Sequence, residues 1–365
     1  MAELLKHVYN ELFIKNLGEA FARQAPYFDL KKFESSVFSR NWQDLELKAR
    51  MRRITECLQH CMTDDYGENL RVLLDVSEVL KTHSKPGFEY MLFPDFVELY
   101  GQDDFDLSIN ALEQLTKLAS AEFAVRPFIM SQPKKMMAKM SAWAKSPDAD
   151  VRRLASEGCR PRLPWAMALP NFKNDPKPIL PVLRQLKNDK SLYVRRSVAN
   201  NLNDISKDHP DVVLDIAQQW LGENDETDWI VKHALRGLLK SADATALGLF
   251  GYGDVKHLEL CELRLEKTVS FGDYLPFSFE LKTSAKSIGN LRIEYAIDFM
   301  KSNGKTARKI FKVSESNYRQ TNKEFQRKHA FKPIATRQHY PGEHGFALLL
   351  NGVEVASHRF LLTGL

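Results

Sequence analysis

At 365 residues, with 44% hydrophobic and 27% charged side chains, the chain is long enough for one large domain or two ordinary ones and too apolar for wholesale disorder. Its four cysteines do not make a disulfide framework, and no apolar run approaches the ~18 residues that a membrane span needs. The formal net charge of +5 is unevenly divided: residues from Val255 onward carry a net +7, and the first 254 residues a net −2.

The opening stretch, Met1-Ala2-Glu3-Leu4-Leu5, holds an acid and lacks a secretory signal's apolar core and cleavage site, so a cytoplasmic protein is expected. Residues 1 to 250 read as helices. Leu5, Val8, Leu12 and Phe13 form one helical stripe, and Leu45, Met51, Ile54, Leu58 and Cys61 form another. Cys57 and Cys61 share a helix face beside His60, but no second pair completes a zinc site, so they read as buried core thiols and no metal is expected.

A weak repeat follows. Ser120 to Arg126, Ser146 to Arg152, Asp189 to Arg195 and Asp225 to Lys232 each run from a capping-type residue through a short gap to a valine and then a cation. The valines, Val125, Val151, Val194 and Val231, are spaced irregularly but within the range of stacked helix pairs. The expectation is a HEAT-like solenoid in which Arg126, Arg152, Arg195 and Lys232 line one concave surface as a ladder, a row suited to a phosphate backbone.

The longest gap between repeat valines, from Val151 to Val194, holds Arg160-Pro161-Arg162-Leu163-Pro164-Trp165. Prolines on both sides of Leu163 stiffen the backbone, so Trp165 is either held at a site or used to plug the end of a helix pair. Three carboxylates stand near the repeats. Glu122, early in its helix, suits the helix dipole. Glu157, four residues after Arg153, has an ordinary helical ion pair as its simplest explanation. Asp204 sits near the C-terminal end of a helix, where the dipole favours a cation, so it needs either turn chemistry or another reason.

Beyond Gly248-Leu-Phe-Gly-Tyr-Gly253, read as a hinge, the hydrophobic period becomes two. Phe277 to Lys282 and Leu291 to Phe299 alternate, and Asn351-Gly352 between two apolar runs is a hairpin signal. About seven strands in residues 255–365 imply an all-β immunoglobulin-like sandwich. Between Lys301 and Arg337 lie 11 basic and 2 acidic residues, either a surface for a polyanion or a lysine-guarded sheet edge. No glycine-rich phosphate loop, metal cluster or Ser/His/Asp arrangement competes. The residues alone imply a multidomain protein, a helical nucleic-acid-binding region (1–250) followed by the sandwich, with an acid-plus-tryptophan site whose purpose they leave open.

The stretches "LELKARMRRI", "FPDFVELYG", "SAEFAVRPFI", "VRRLASEGCRPRLPW" and "YVRRSVANNLNDISKDHPDVVL" go further. Their order and sequence closely resemble the AlkC branch of the AlkC/AlkD DNA alkylation-repair glycosylases, over most of residues 1 to 240. The resemblance implies a monofunctional DNA glycosylase that cleaves the N-glycosidic bond of cationic N-alkylated bases, 3-methyladenine and 3-methylcytosine, without flipping the base into a deep pocket. Carried over by motif, Trp165 approaches the lesion, Glu122 and Asp204 face the deoxyribose, and Arg152 holds or wedges the DNA near the site, with Glu157 a weaker candidate. Arg160 and Arg162 supply cations for flanking phosphates. The implied partner is double-stranded DNA containing alkylated bases, met by a monomer with no cofactor and no membrane contact, in a bacterial-type cytoplasm at the nucleoid. The competing expectation is a non-catalytic HEAT-repeat scaffold that binds DNA or protein; release of free base separates the two.

Overall fold

A computed structural model of the chain describes residues 5–39, 41–83, 87–333 and 338–364; Arg337, the last cation of the basic stretch, lies outside them. By its internal contacts the chain divides into two compact units, Met1–Asp208 and His209–Leu365. The first holds α1 (Glu11–Gln24), α2 (Leu30–Val37), α3 (Leu47–His60), α4 (Tyr66–His83), α5 (Leu92–Tyr100) and α6 (Phe105–Leu115). It continues with α7 (Val125–Ser131), α8 (Pro133–Trp143), α9 (Ala149–Glu157), α10 (Pro170–Asn174), α11 (Leu180–Leu186) and α12 (Leu192–Ile205). The second begins with α13 (Pro210–Trp220), α14 (Asp225–Ala234), α15 (Arg236–Lys240) and α16 (Ala244–Leu249). Its strands are β1 (Leu258–Leu265), β2 (Thr268–Ser270), β3 (Tyr274–Thr283), β4 (Gly289–Met300), β5 (Thr306–Tyr318), β6 (Asn322–Ala330), β7 (Gly342–Leu350) and β8 (Val353–Thr363).

In the first unit the repeat valines Val125, Val151 and Val194 are fully buried. Helix α9 packs on α12, α8 and α11, and α7 on α8, so each valine is buried where neighbouring helices stack. The caps sit a residue or two from where the repeat suggests. Asp148 starts α9 by accepting from the Asp150 and Val151 amides at 2.8 and 3.3 Å, while Asp189 accepts from the Ser191 amide at 2.8 Å just ahead of α12. Asp148 serves the free amides of a helix start, whereas Asp189 fixes the residue that precedes one.

Among the described residues of the second unit, eight strands form two sheets, β1-β3-β6 and β2-β8-β7-β4-β5. Alternate residues of β4 (Leu291, Ile293, Tyr295, Ile297 and Phe299) enter the core between them. Asn351 and Gly352 take φ of 45° and 81°, the two left-handed positions of a type I′ turn, and join β7 to β8. The outer face of β4 and β7 is covered as well: Ala296, Ala347 and Leu349 pack with Ala242 and Leu247 of the preceding helical segment. That cover explains why the middle of β4 is buried on both faces. It also corrects the expected hinge. Asn290 donates to the Gly251 carbonyl (3.1 Å), Asn351 to that of Gly253 (3.0 Å), and Tyr252 to Glu315 (2.6 Å). The glycine segment is pinned to the sandwich because its bare backbone carbonyls serve as acceptors for strand side chains.

Candidate active-site cleft

The chain turn before α7, the last turn of α9 and the end of α12 bring acids and arginines together in the first unit. Arg153 of α9 is bonded to Glu122 and, through its other terminal nitrogen, to Glu157 at 3.3 Å. Arg160 then donates to Glu157 at 2.6 Å and to Asp204 at 2.9 Å, and Lys207 closes the row on Asp204 at 3.2 Å. Three carboxylates thus alternate with three cations, and Ser120 adds a hydroxyl to Glu122 at 2.7 Å. Burial works against the charges of Arg153 and Arg160, and the neighbouring carboxylates outweigh it. Glu157 and Glu122 do so for the first, Glu157 and Asp204 for the second, so both guanidinium pKa values lie above their ordinary value. Removing one member of such a buried row strands the others, which costs about 3–5 kcal/mol.

An open cleft of about 740 Å³ lies over this row, and Glu122, Arg153, Glu157, Arg160, Trp165 and Tyr193 are among its walls. Glu122 and Glu157 each take their protein donors on one carboxylate oxygen and have no hydrogen bond to the other among the described residues. Each acid therefore offers a lone oxygen to whatever enters. Asp204 differs: only 3% of its side chain is exposed, and both of its oxygens are taken by Arg160 and Lys207. Arg160, three residues beyond the end of α9, is the partner that Asp204 shares with Glu157.

The insertion ends in a turn, Leu163-Pro164-Trp165-Ala166, with the Ala166 amide on the Leu163 carbonyl at 3.4 Å. Proline at the second position and φ of +64° at Trp165 make this a type II turn, whose third position favours glycine. A bulky residue there costs about 1–3 kcal/mol of backbone strain. Trp165 is nonetheless 66% exposed at the cleft wall, with the ring of Phe88 beside its indole at a centroid distance of 6.3 Å. It does not plug a helix pair. A strained, exposed aromatic beside carboxylates is arranged for a ligand rather than for stability.

A sequence profile described as "DNA alkylation repair enzyme" matches residues 20–238. The chain belongs to that family, in its AlkC/AlkD group. A second profile, the C-terminal Ig-like domain of YhaZ, matches residues 259–364. YhaZ of Bacillus subtilis (strain 168), described as an uncharacterized protein, is 44% identical over 350 residues, covering 95% of this chain and 96% of its own. The alkylpurine DNA glycosylase AlkC of Pseudomonas fluorescens, solved bound to DNA containing an abasic site analogue, is 36% identical and matches all of both chains with a TM-score of 0.84.

In this member of the AlkC/AlkD group three of the four cations expected as a concave ladder, Arg126, Arg152 and Arg195, are bonded to backbone carbonyls. Arg126 is wholly buried and donates to the carbonyls of Met167 (2.7 Å) and Gly158 (3.0 Å), and burial lowers its pKa to about 10. Arg152 bonds the Ser146 and Pro147 carbonyls at 3.0 and 2.9 Å and grips Asp189 of the next repeat. Arg195 repeats the pattern on the carbonyls of Asp189 and Lys190, at 2.7 and 3.1 Å. The recurring cation braces the inter-helix turn, whose carbonyls have no helical partner. Lys232 belongs to the second unit and is exposed. Arg162 pairs with Asp208 at 2.6 Å near the surface.

Sequence reasoning passed over Arg153 as a site residue, along with Tyr193, whose ring lies 4.8 Å from the Arg153 guanidinium carbon, and Lys48, which donates to the Trp165 carbonyl at 2.8 Å. Lys48 lies inside "LELKARMRRI", so the resemblance had already marked its segment. Among the described residues no cluster of His, Cys, Asp and Glu is placed to hold a metal ion, and no helix is long and apolar enough to cross a membrane.

Proposed function

We propose that this protein is a monofunctional DNA glycosylase that hydrolyses the N-glycosidic bond of cationic N-alkylated bases, 3-methyladenine and 3-methylcytosine, in duplex DNA. The observation that carries the reading is the cleft in which Glu122 and Glu157 each keep one oxygen for a ligand beside the exposed Trp165. The likeness to a glycosylase solved on DNA containing an abasic site analogue, the state left when a base has departed, supports it.

The chemistry suits these residues. A base alkylated on a ring nitrogen already carries positive charge, so it departs with the bonding electron pair as a neutral molecule and needs no acid. Charge then develops on the sugar as in an oxocarbenium ion. A carboxylate oxygen at Glu122 stabilises that charge and orients the water whose oxygen bonds to C1′, and the water's proton passes to the carboxylate. Loss of one well-placed electrostatic contact typically raises such a barrier by about 3 kcal/mol. The Trp165 face attracts the cationic base by about 0.5–2 kcal/mol. Glu157 stands beside Glu122, and Asp204, held by Arg160 and Lys207, is the second acid that faces the deoxyribose. The cleft is open and walled by one projecting indole, so the lesion is met in the duplex rather than in a deep pocket. The lysines of β5 and β6 supply a further DNA-binding surface.

The test is release of free base from methylated duplex DNA. Glu122→Gln is expected to slow release of 3-methyladenine by about 10²–10³-fold while DNA binding persists. A parent protein that binds the DNA and releases no base would establish the scaffold reading instead.

A further inference from the structure

Four contacts hold the Trp165 turn in place. The Leu169 amide closes the loop on the Pro161 carbonyl at 3.1 Å, and Arg126 braces its far side through Met167 and Gly158. Leu163 is buried beneath it. Among the described residues, the only side chain that reaches the strained residue itself by a hydrogen bond is Lys48 of α3, which stands 117 positions earlier in the chain. Its ammonium lies 2.8 Å from the Trp165 carbonyl oxygen and 5.0 Å from the centre of the Phe123 ring. A charged donor on a carbonyl makes a stronger hydrogen bond than a neutral one, and the ring face of Phe123 favours a cation over a neutral group at that spot.

The Trp165 carbonyl belongs to the peptide that follows the left-handed residue. Fixing that oxygen restrains the rotation by which the turn would relax out of φ +64°. Relaxation would swing the indole, which is largely exposed and meets the ring of Phe88, away from Glu122 and Glu157. We propose that Lys48 is a positioning residue: it holds the backbone of Trp165 in the left-handed turn and so keeps the indole projected into the cleft. Lys48 does this from the solvent-exposed side of α3, where replacing it leaves the core untouched. The role rests on the glycosylase reading of the cleft for its rate effect, but the restraint on Trp165 is measurable without any reaction.

The experiment compares Lys48→Met, Lys48→Arg, Trp165→Ala and the double variant Lys48→Met/Trp165→Ala in the full-length protein. In 5-fluorotryptophan-labelled protein, the resonance assigned to Trp165 by its loss in Trp165→Ala should broaden or shift in Lys48→Met, with the other four tryptophans unmoved, and recover in Lys48→Arg. In 3-methyladenine release at saturating DNA, Lys48→Met should lower kcat about tenfold, Lys48→Arg should restore most of it, and Lys48→Met should add nothing to Trp165→Ala. Lysine reaching a DNA phosphate directly would give a different pattern. Lys48→Met would then lower the slope of binding against salt by about one contact, with kcat and the Trp165 resonance unchanged, and the positioning role would be overturned. It would equally be overturned by an effect of Lys48→Met that is undiminished in the Trp165→Ala background. If the parent releases no base yet the Trp165 resonance responds to Lys48 as described, the restraint stands and the glycosylase reading is what fails.

Discussion

The arginines around the cleft and the lysines on the surface of the sandwich are put to different uses. Around the cleft, arginines are turned inward: Arg153 and Arg160 alternate with buried carboxylates, while Arg126, Arg152 and Arg195 close backbone carbonyls. On the sandwich, lysines lie over aromatic rings at the surface. Lys328 and Lys332 both stand over Tyr274, at 4.3 and 4.9 Å from its ring centre, and Lys323 stands over Tyr318 at 4.9 Å. A guanidinium has five donors in a fixed fork and suits carbonyl pairs and carboxylates, whereas an ammonium on a flexible stem suits a wet surface. Counting charges along the chain merges these two uses. Where each cation's protons go separates them.

The contrast is sharpest at Arg160. Arg160→Met leaves Glu157 and Asp204 buried without their shared partner, so stability to urea should fall by about 3–5 kcal/mol and base release should be lost with it. A change below 1 kcal/mol would mean that the row is not a structural unit.

Asp95 of α5 tests the same interior by pH. Burial raises its pKa from 3.8 to about 6, although Arg52 sits 2.8 Å away and works in the other direction. The folded protein thus holds a proton that the unfolded chain releases near pH 3.8. Stability from this group is fully present below that pH and is lost as pH rises through about 6, a loss on the order of 3 kcal/mol. Unfolding followed between pH 4 and 7 should show the decline, and Asp95→Asn should flatten it.

Trp165→Gly should do the reverse of a normal core deletion. Glycine accepts φ +64° without strain, so the midpoint of urea unfolding should rise, by about 1 kcal/mol of stability, while base release slows. A stability loss would show that the indole contributes more packing than its exposure suggests. The smallest effect on folding is expected on the sandwich. Lys328→Gln/Lys332→Gln should leave stability within about 0.5 kcal/mol and lower the salt dependence of DNA binding by about two contacts. An unchanged slope would leave those lysines as edge protection.

Much of the architecture follows from local sequence. The period of 3.6 before residue 250 and of two after it predicts helices and then strands, and Asn351-Gly352 predicts its own turn, because these signals depend on neighbours a few residues apart. The repeat valines are inward-facing for the same reason. The motif around Arg160 to Trp165 likewise announces a stiff segment, since two prolines act on their own backbone.

What local pattern does not carry is which side chains meet. Glu122 finds Arg153 31 positions later, Arg160 finds Asp204 44 positions later, and Lys48 finds Trp165 across 117. Each pairing exists because packed helices bring their ends together, and a cation's choice between phosphate, carboxylate and carbonyl depends on which acceptor that packing delivers. Element type and the inward face of each helix were therefore determined by the sequence itself. The burial of Arg126, the pairing of Asp204 with Arg160 and Lys207 and the exposure of a strained Trp165 were decided only by tertiary contact, where desolvation and competing partners set the outcome.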